Sequence, residues 1–212
     1  ALLVAPVAPE EEVALRGQYR RGDRRSIADP GVPAQRVQIK RGLVIGQFAQ
    51  ARAALLKATD IYHRVLGDRH ADTIDAWTRW GHLEKAQTHF REAETLYRRV
   101  LAAHLRAEGE GGQAVGADFL NLAELHRVEG KPKAAIKMVR RSLDIREKGV
   151  GVRHPDVAEA ENVLAEVQVL LRHFEEAETG FLRAWDVYES TLGSDAPGLL
   201  RTQTGLAALY WI

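Results

Sequence analysis

The sequence predicts an all-α fold, a solenoid of about four and a half stacked antiparallel helix pairs, on the basis of two repeating columns of small residues. Both columns recur every 42 residues. The first column is alanine, at positions Ala51, Ala93, Ala135 and Ala177. The second column is glycine, at positions Gly67, Gly109, Gly151 and Gly193. A phenylalanine stands three residues before the alanine in three units, at Phe48, Phe90 and Phe174, and Pro132 takes that place in the remaining one.

Composition describes a folded protein without a strong overall charge. Of the 212 residues, 45% are hydrophobic, which is enough for a sizeable core, and 30 basic residues face 29 acidic ones. Such a balance gives no general attraction to nucleic acid or to an anionic membrane. The absence of cysteine excludes disulfides, thiolate zinc sites and cysteine nucleophiles. Composition does not select a compartment, and the cytoplasm and an organelle both stay open.

Residues 1–32 are predicted to form an irregular basic arm outside the repeats. Prolines near both ends of this segment argue against a long helix, and its apolar start is too short and interrupted to span a bilayer. Between Val13 and Arg41, eight basic residues face two acidic ones. We expect the arm to contact nucleic-acid phosphates or a protein partner through Arg16, Arg20, Arg21, Arg24 and Arg25. Disorder without a partner is the equal alternative. A processed presequence or a trimmed chain would explain the start at Ala1.

The rest of the chain divides into units at residues 33–66, 73–108, 115–149 and 156–192, with a partial unit at 197–212. Each complete unit is predicted to contain two amphipathic helices, because apolar residues recur at three- and four-residue spacing. In the second unit, Trp77 belongs to the first helix and Leu96 to the second, with a break around 87–89. The glycine of each unit is expected to end its second helix in left-handed geometry.

Small residues are predicted to set the spacing between helices. Gly81 and Ala93 let two helix axes approach closely, and a large residue at Ala135 would force neighbouring units apart. The first unit departs from the pattern, because Gln35 and Ile39 stand where the aromatic and the small residue of the first helix belong. Such degeneracy is expected of a terminal repeat.

The units resemble tetratricopeptide repeats. In that family's pattern a small residue follows an aromatic one on the first helix, as Gly81 follows Trp77, and an alanine comes twelve residues later, as at Ala93. The 42-residue unit and the phrase Phe-Glu-Glu-Ala-Glu at 174–178 are similar to the kinesin-light-chain subtype. The resemblance implies a right-handed solenoid whose first helices line a concave, partner-binding face.

The phase of the first helices selects the candidate partner-binding residues of this concave face. They are Asp75, Thr78, His82, Lys85, Leu120, Glu124, Arg127, Glu159, Asn162, Glu166, Arg201 and Thr204. We expect Lys85, Arg127 and Arg201 to meet acidic side chains through charge-assisted hydrogen bonds. Glu124 and Glu166 would repel a partner's terminal carboxylate. A solvated face without a binding role is the equal alternative.

The sequence contains no motif for catalysis or metal binding. Its eight histidines form no tight ligand pair, so no metal site is predicted. Residues 109–112 lack the preceding strand and the Gly-Lys-Ser/Thr sequence of a phosphate-binding loop. We therefore expect a non-enzymatic adaptor without a cofactor, which binds peptides or helices of other proteins.

The C-terminal unit suggests an alternative function. Residues 199–212 are predicted to form a first helix without its second, and the last four residues are apolar. Because solenoids need polar caps for solubility, the chain is either a fragment or docks here on another subunit. The alternative function is a structural subunit of a large assembly, such as an organellar ribonucleoprotein, that uses its basic arm and this exposed helix.

Overall fold

The computed structural model describes the backbone of residues 33–212 and the side chains of residues 46–212. The described backbone forms helices α1 (Pro33–Leu66), α2 (Ala71–Ala86), α3 (Phe90–Glu108), α4 (Gln113–Val128), α5 (Pro132–Val150), α6 (Pro155–Leu170), α7 (Phe174–Leu192) and α8 (Pro197–Tyr210). This part of the chain contains no strand, and the all-α prediction is confirmed. None of these helices combines the length and the apolar character needed to cross a bilayer. The basic arm predicted for residues 1–32 lies outside the described residues.

Three pairs of helices form hairpins in the order that the repeat predicts, α2 with α3, α4 with α5 and α6 with α7. Each second helix also packs against the first helix that follows it, and α7 packs in this way against the final helix α8. In addition, α6 contacts the neighbouring first helices α4 and α8 directly. The predicted α-solenoid is therefore confirmed, and we call the side along which the first helices meet the inner side of the stack.

The glycine column ends the second helices as predicted, but its backbone geometry differs from the expected one. Gly109, Gly151 and Gly193 follow α3, α5 and α7, with φ of 75°, 85° and 81°. Their ψ angles are −177°, 157° and 179°, which lie far from the left-handed helical region. This combination of φ and ψ is essentially restricted to glycine. Glycine is therefore more strictly required at these three positions than it would be if they had left-handed helical geometry.

Small residues set the distance between paired helices. A Cβ atom on Gly81 would lie 2.6 Å from Cε1 of Tyr97, so α2 and α3 approach too closely for a side chain at this position unless the ring moves. On the second helices, Ala93, Ala135 and Ala177 are all 0% exposed. Any larger side chain at these positions would need space that the packed interior does not contain.

The first unit differs from the prediction, because residues 33–66 form one continuous helix instead of a pair. The helix begins at Pro33, where the fixed φ and the missing N–H of proline are tolerated. Gly42 and Gly46 lie inside it. Each glycine disfavours a helix by only about 1 kcal/mol relative to alanine, so neither breaks α1.

Candidate partner-binding surface

Five of the predicted partner-binding residues meet on the inner side of the stack. Lys85 of α2 donates a hydrogen bond from Nζ to Oε2 of Glu124 on α4, at 2.8 Å. The other carboxylate oxygen of Glu124 accepts from Nη1 of Arg201 on α8, at 2.9 Å. Side chains from the second unit and from the final helix thus meet on one carboxylate.

Glu166 of α6 completes this arrangement from the other side. Arg201 donates to both of its carboxylate oxygens, from Nε at 2.8 Å and from Nη2 at 2.9 Å. Nε of Arg127 lies 3.0 Å from Oε2 of the same carboxylate. We call Lys85, Glu124, Arg127, Glu166 and Arg201 the inner ion-pair network. It links all four first helices from α2 to α8.

The inner ion-pair network is partly open to solvent. The exposed fraction of its side chains runs from 20% for Lys85 and Glu166 to 32% for Arg201. Burial alone would raise the pKa of Glu124, but Lys85 and Arg201 outweigh burial and lower that pKa to about 2. Hydrogen bonds to Glu166 raise the pKa of the Arg201 guanidinium. The network holds three cationic side chains against two carboxylates.

Two of the predicted residues are buried, so a partner cannot reach them in this structure. Leu120 is 4% exposed and belongs to the hydrophobic core that α4, α5 and α6 share. Asn162 is 0% exposed, and its Nδ2 donates to Oγ1 of Thr202 on α8 at 2.9 Å. Both residues lie where first helices pack on their neighbours. We therefore leave Leu120 and Asn162 out of the surface that we propose below.

His82 and Glu159 contact side chains of second helices. The hydroxyl of Tyr97 lies 2.9 Å from Nδ1 of His82. Burial, helped by the nearby Lys85, lowers the pKa of His82. Glu159 accepts from Nη1 of Arg146 at 3.0 Å. Both residues therefore have their hydrogen-bonding geometry set within the chain.

The other three predicted residues are bonded within their own helices. Asp75 accepts from Nε of Arg79 at 2.6 Å, one helical turn away. The hydroxyls of Thr78 and Thr204 each donate to the carbonyl four residues earlier, at 3.0 Å and 2.8 Å. Asp75 and Thr204 are exposed, and Thr78 is half-buried. None of these bonds prevents contact with a partner.

A second column of polar and aromatic residues, not predicted from the sequence, lies on the second helices. His104, Arg146 and Tyr188 lie 42 residues apart on α3, α5 and α7, and each contacts the first helix that follows. Nδ1 of His104 lies 2.7 Å from Oδ2 of the buried Asp118 on α4. The recurrence of three large side chains at the same position of the 42-residue repeat is the sequence signal from which this column could have been predicted.

The chemistry available on the inner side is that of ion pairs and hydrogen bonds. Among the residues whose side chains the structure describes, no group of three His, Cys, Asp or Glu could hold a metal ion. The inner ion-pair network can exchange hydrogen bonds with charged side chains of a partner, because each of its members keeps some contact with solvent.

Family comparisons agree with this geometry. Models of the tetratricopeptide repeat match residues 117–179, which run from α4 into α7, and residues 45–72, which run from α1 into α2. These two segments of the chain match tetratricopeptide repeats. A comparison with curated proteins gives no significant match.

Solved structures resemble this chain at the level of the fold. The crystal structure of BtubC (BKLC) from P. vanneervenii is similar over 77% of this chain and 66% of that chain, with a TM-score of 0.65 and 20% identity. A putative kinesin light chain of Podospora anserina with nearly identical TPR-like repeats and a point variant of it are each similar over 84% of both chains, with 21% identity and TM-scores of 0.62 and 0.64. The fold of the described helices is thus similar to that of these repeat structures.

Proposed function

We propose that this chain is a non-enzymatic scaffold that binds a segment of a partner protein along the inner side of α2, α4, α6 and α8. Tetratricopeptide repeats generally mediate protein interactions, and proteins built from them are generally non-catalytic. The observation that carries the proposal is the inner ion-pair network. It brings charged side chains of four helices together on one accessible surface.

The charges of the network favour a segment with acidic side chains. Because the network contains one more cation than carboxylates, a partner carboxylate beside Lys85 or Arg127 would gain a charge-assisted hydrogen bond. Such a contact leaves the pair of Arg201 and Glu166 intact. Glu124 and Glu166 repel a carboxylate at the centre of the surface, so we expect the acidic side chains of the partner at its edges.

Site-specific photo-crosslinking tests where the partner binds. A benzophenone amino acid replaces Asp75 at one end of the surface or Ala208 at the other, both of which are exposed. Asp144 on α5 is the matched control, because it forms an i,i+4 ion pair with Lys148 just as Asp75 does with Arg79. The full chain is irradiated in extract of its source cells, and crosslinked peptides are identified by mass spectrometry.

We expect position 75 and position 208 to capture different parts of one partner segment, and position 144 to capture none of it. Crosslinks to that segment from position 144 at the same yield would contradict binding on the inner side. Once the segment is identified, Arg127→Gln should weaken its affinity about tenfold by removing a charge-assisted bond.

A second candidate function is a structural subunit of a larger assembly, which an exposed apolar patch on and after α8 favours. Leu200, Tyr210, Trp211 and Ile212 are 68%, 66%, 92% and 72% exposed. Exposed patches of this kind are often interaction sites. Under this hypothesis, Trp211→Ser shifts the chain from large complexes to the free pool in a sedimentation gradient. Removal of residues 1–32 tests the basic arm in the same assay.

A further inference from the structure

The fourth unit lacks two large side chains that pack together in the second unit. In the second unit, Trp77 of α2 and Leu96 of α3 are both buried in one hydrophobic cluster. Two 42-residue periods later, the same positions hold Glu161 on α6 and Gly180 on α7. An indole ring and a leucine side chain are thus replaced by a carboxylate and a hydrogen atom at the contact between α6 and α7.

Two cavities in the described part of the chain share Glu161 and Arg183 in their walls. The larger, which we call the Glu161 cavity, has a volume of about 420 Å³ and is also lined by Leu164, Thr179 and Gly180. The smaller, of about 320 Å³, extends to the loop between α5 and α6. Cavities that hold ligands have volumes of about 300–1,000 Å³. The replacement of the two large side chains therefore coincides with a space large enough for a ligand group.

The carboxylate of Glu161 is largely buried and weakly paired. Its side chain is 12% exposed, and Nη1 of Arg183 lies 3.8 Å from Oε1, which is too far for a hydrogen bond. Oε2 lies 3.6 Å from the position that a Cβ atom on Gly180 would take. Burial raises the pKa of Glu161 more than Arg183 lowers it. Because a buried charge is unfavourable unless it is paired, a cation that enters the cavity would stabilise the ionised carboxylate.

The charges around the Glu161 cavity favour a cation. Glu175 and Glu176 in the first turn of α7 also line it, and both side chains are exposed. With Glu161, three carboxylates face a single guanidinium, that of Arg183. Arg183 is 68% exposed, so most of this side chain lies in solvent rather than in the cavity. The local excess of negative charge attracts a positively charged group and raises its local concentration.

We propose that the Glu161 cavity binds a lysine or arginine side chain of a partner protein. The cationic group would lie at the carboxylate of Glu161 and form a charge-assisted hydrogen bond. The aliphatic stem of either side chain would lie along Leu164 and Gly180, because such stems pack readily on apolar surface. None of the residues that line the cavity belongs to the inner ion-pair network. The inference therefore goes beyond the proposed function, since it concerns a second surface and a basic rather than an acidic group of a partner.

Titration of the full-length protein with short peptides tests this site. The probes are acetyl-Gly-Lys-Gly-amide, its arginine counterpart and its norleucine counterpart, which has an aliphatic side chain without the charge. Nuclear magnetic resonance follows the backbone amides of Thr179 and Gly180. We expect at least one basic peptide to shift these signals, with an affinity at least about tenfold higher than that of the norleucine peptide. n-Butylammonium should bind more weakly than that basic peptide, because it has no backbone that could bond to Gln168 or Thr179 in the wall of the cavity.

Variants of Glu161 connect these signals to the cavity. Glu161→Gln keeps the size of the side chain but removes the charge, so the affinity for the basic peptide should fall about tenfold. Glu161→Phe introduces the residue type found one period earlier at Phe119, which should fill the cavity and abolish binding. Glu92→Gln is the matched control. Glu92 is exposed and occupies in the second unit the position of Glu176, so this variant removes one negative charge from a different unit and should leave the affinity unchanged.

Three results would overturn the proposal. The first is no shift with either basic peptide, or an affinity equal to that of the norleucine peptide, which would show that the cavity does not recognise the charge. The second is an equal affinity of Glu161→Gln and Glu92→Gln for the basic peptide, since another carboxylate would then hold the cation. The third is binding of n-butylammonium at least as tight as that of the basic peptides, because the ligand would then be a free amine rather than a side chain of a protein.

Discussion

Arg201 on α8 and Glu166 on α6 form a two-point ion pair, with Nε 2.8 Å from Oε1 and Nη2 2.9 Å from Oε2. The parallel donors of a guanidinium match the two oxygens of a carboxylate, which gives the pair a defined orientation. Nη1 of the same guanidinium reaches Glu124 on α4 at 2.9 Å. One side chain therefore bonds two preceding first helices at once.

Arg201→Met is expected to lower the free energy of unfolding by about 2 kcal/mol, because Glu124 and Glu166 each lose a cationic partner while both stay largely buried. Arg201→Lys keeps the charge but not the fork of donors, so we expect about half of that loss. Urea denaturation followed by circular dichroism measures both values.

Arg183→Met is the matched control for this prediction. Arg183 on α7 is 68% exposed, and its Nη1 lies 3.8 Å from Oε1 of Glu161. The expected loss is below about 0.5 kcal/mol, since exposed ion pairs contribute little to stability. Equal losses at positions 183 and 201 would contradict a stabilising role of the inner ion-pair network.

Glu124 is expected to make the protein less stable at low pH. Its pKa in the folded chain is about 2, below the ordinary 4.5, so between these values the unfolded chain binds more protons than the folded one. The stabilisation is complete above pH 4.5 and is lost as the pH falls towards 2. Glu124→Gln should therefore cost about 2 kcal/mol at pH 7 and much less at pH 3. A difference from the natural chain that does not change with pH would contradict the low pKa.

Asp118 is expected to make the protein less stable at neutral pH than at low pH. Burial raises the pKa of this carboxyl from 3.8 to about 6, despite the hydrogen bond with His104. Between these values the folded chain binds more protons than the unfolded one, so stability falls as the pH rises from about 4 to 6. Asp118→Asn removes this dependence. Relative to the natural chain, the variant should gain about 2 kcal/mol between pH 4 and pH 7 in urea denaturation.

The helices could be predicted from the sequence because their signals are local. The repeat period and the three- and four-residue spacing place the end of the second unit at residue 108, which is where α3 ends. The continuous α1 could not be predicted in this way. The period indicates a turn near Gly46, but a single glycine is only a weak helix breaker. The sequence alone does not show which of these two effects determines the backbone.

The candidate surface was predictable only in part. Helical phase shows which residues share a face, and it groups Lys85 with the other members of the inner ion-pair network. It does not show that these residues bond to each other, since Arg201 and Glu124 are 77 residues apart. Helical phase also cannot distinguish a residue that faces solvent from one that packs on the next first helix. Asn162 and Leu120 are therefore predicted as partner-binding residues from the sequence although both are buried.

Asn162 and Thr202 are predicted to be coupled in stability. The side chain of Asn162 donates from Nδ2 to Oγ1 of Thr202 in a buried site between α6 and α8, and the hydroxyl of Thr202 also lies 3.0 Å from the carbonyl oxygen of Gly198. Thr202→Val should cost about 1–3 kcal/mol, because the amide of Asn162 is left without its partner. The double variant Asn162→Leu with Thr202→Val removes both polar groups and should cost less than the sum of the single losses. Thermal and urea unfolding of all four chains measures the coupling, and additive losses would contradict it.

Gly151→Ala is expected to destabilise the protein through backbone strain alone. Gly151 has φ 85° and ψ 157°, a conformation that costs an L-residue about 1–3 kcal/mol. No heavy atom lies within 4 Å of the position that a Cβ would take, so a steric clash does not contribute. Gly111 has equally open surroundings without a positive φ, and Gly111→Ala should be neutral or slightly stabilising. The two free energies of unfolding, compared under one condition, isolate the effect of φ. If both variants were equally stable, the strain at the end of α5 would be relieved by a local shift of the loop, and glycine would not be required there.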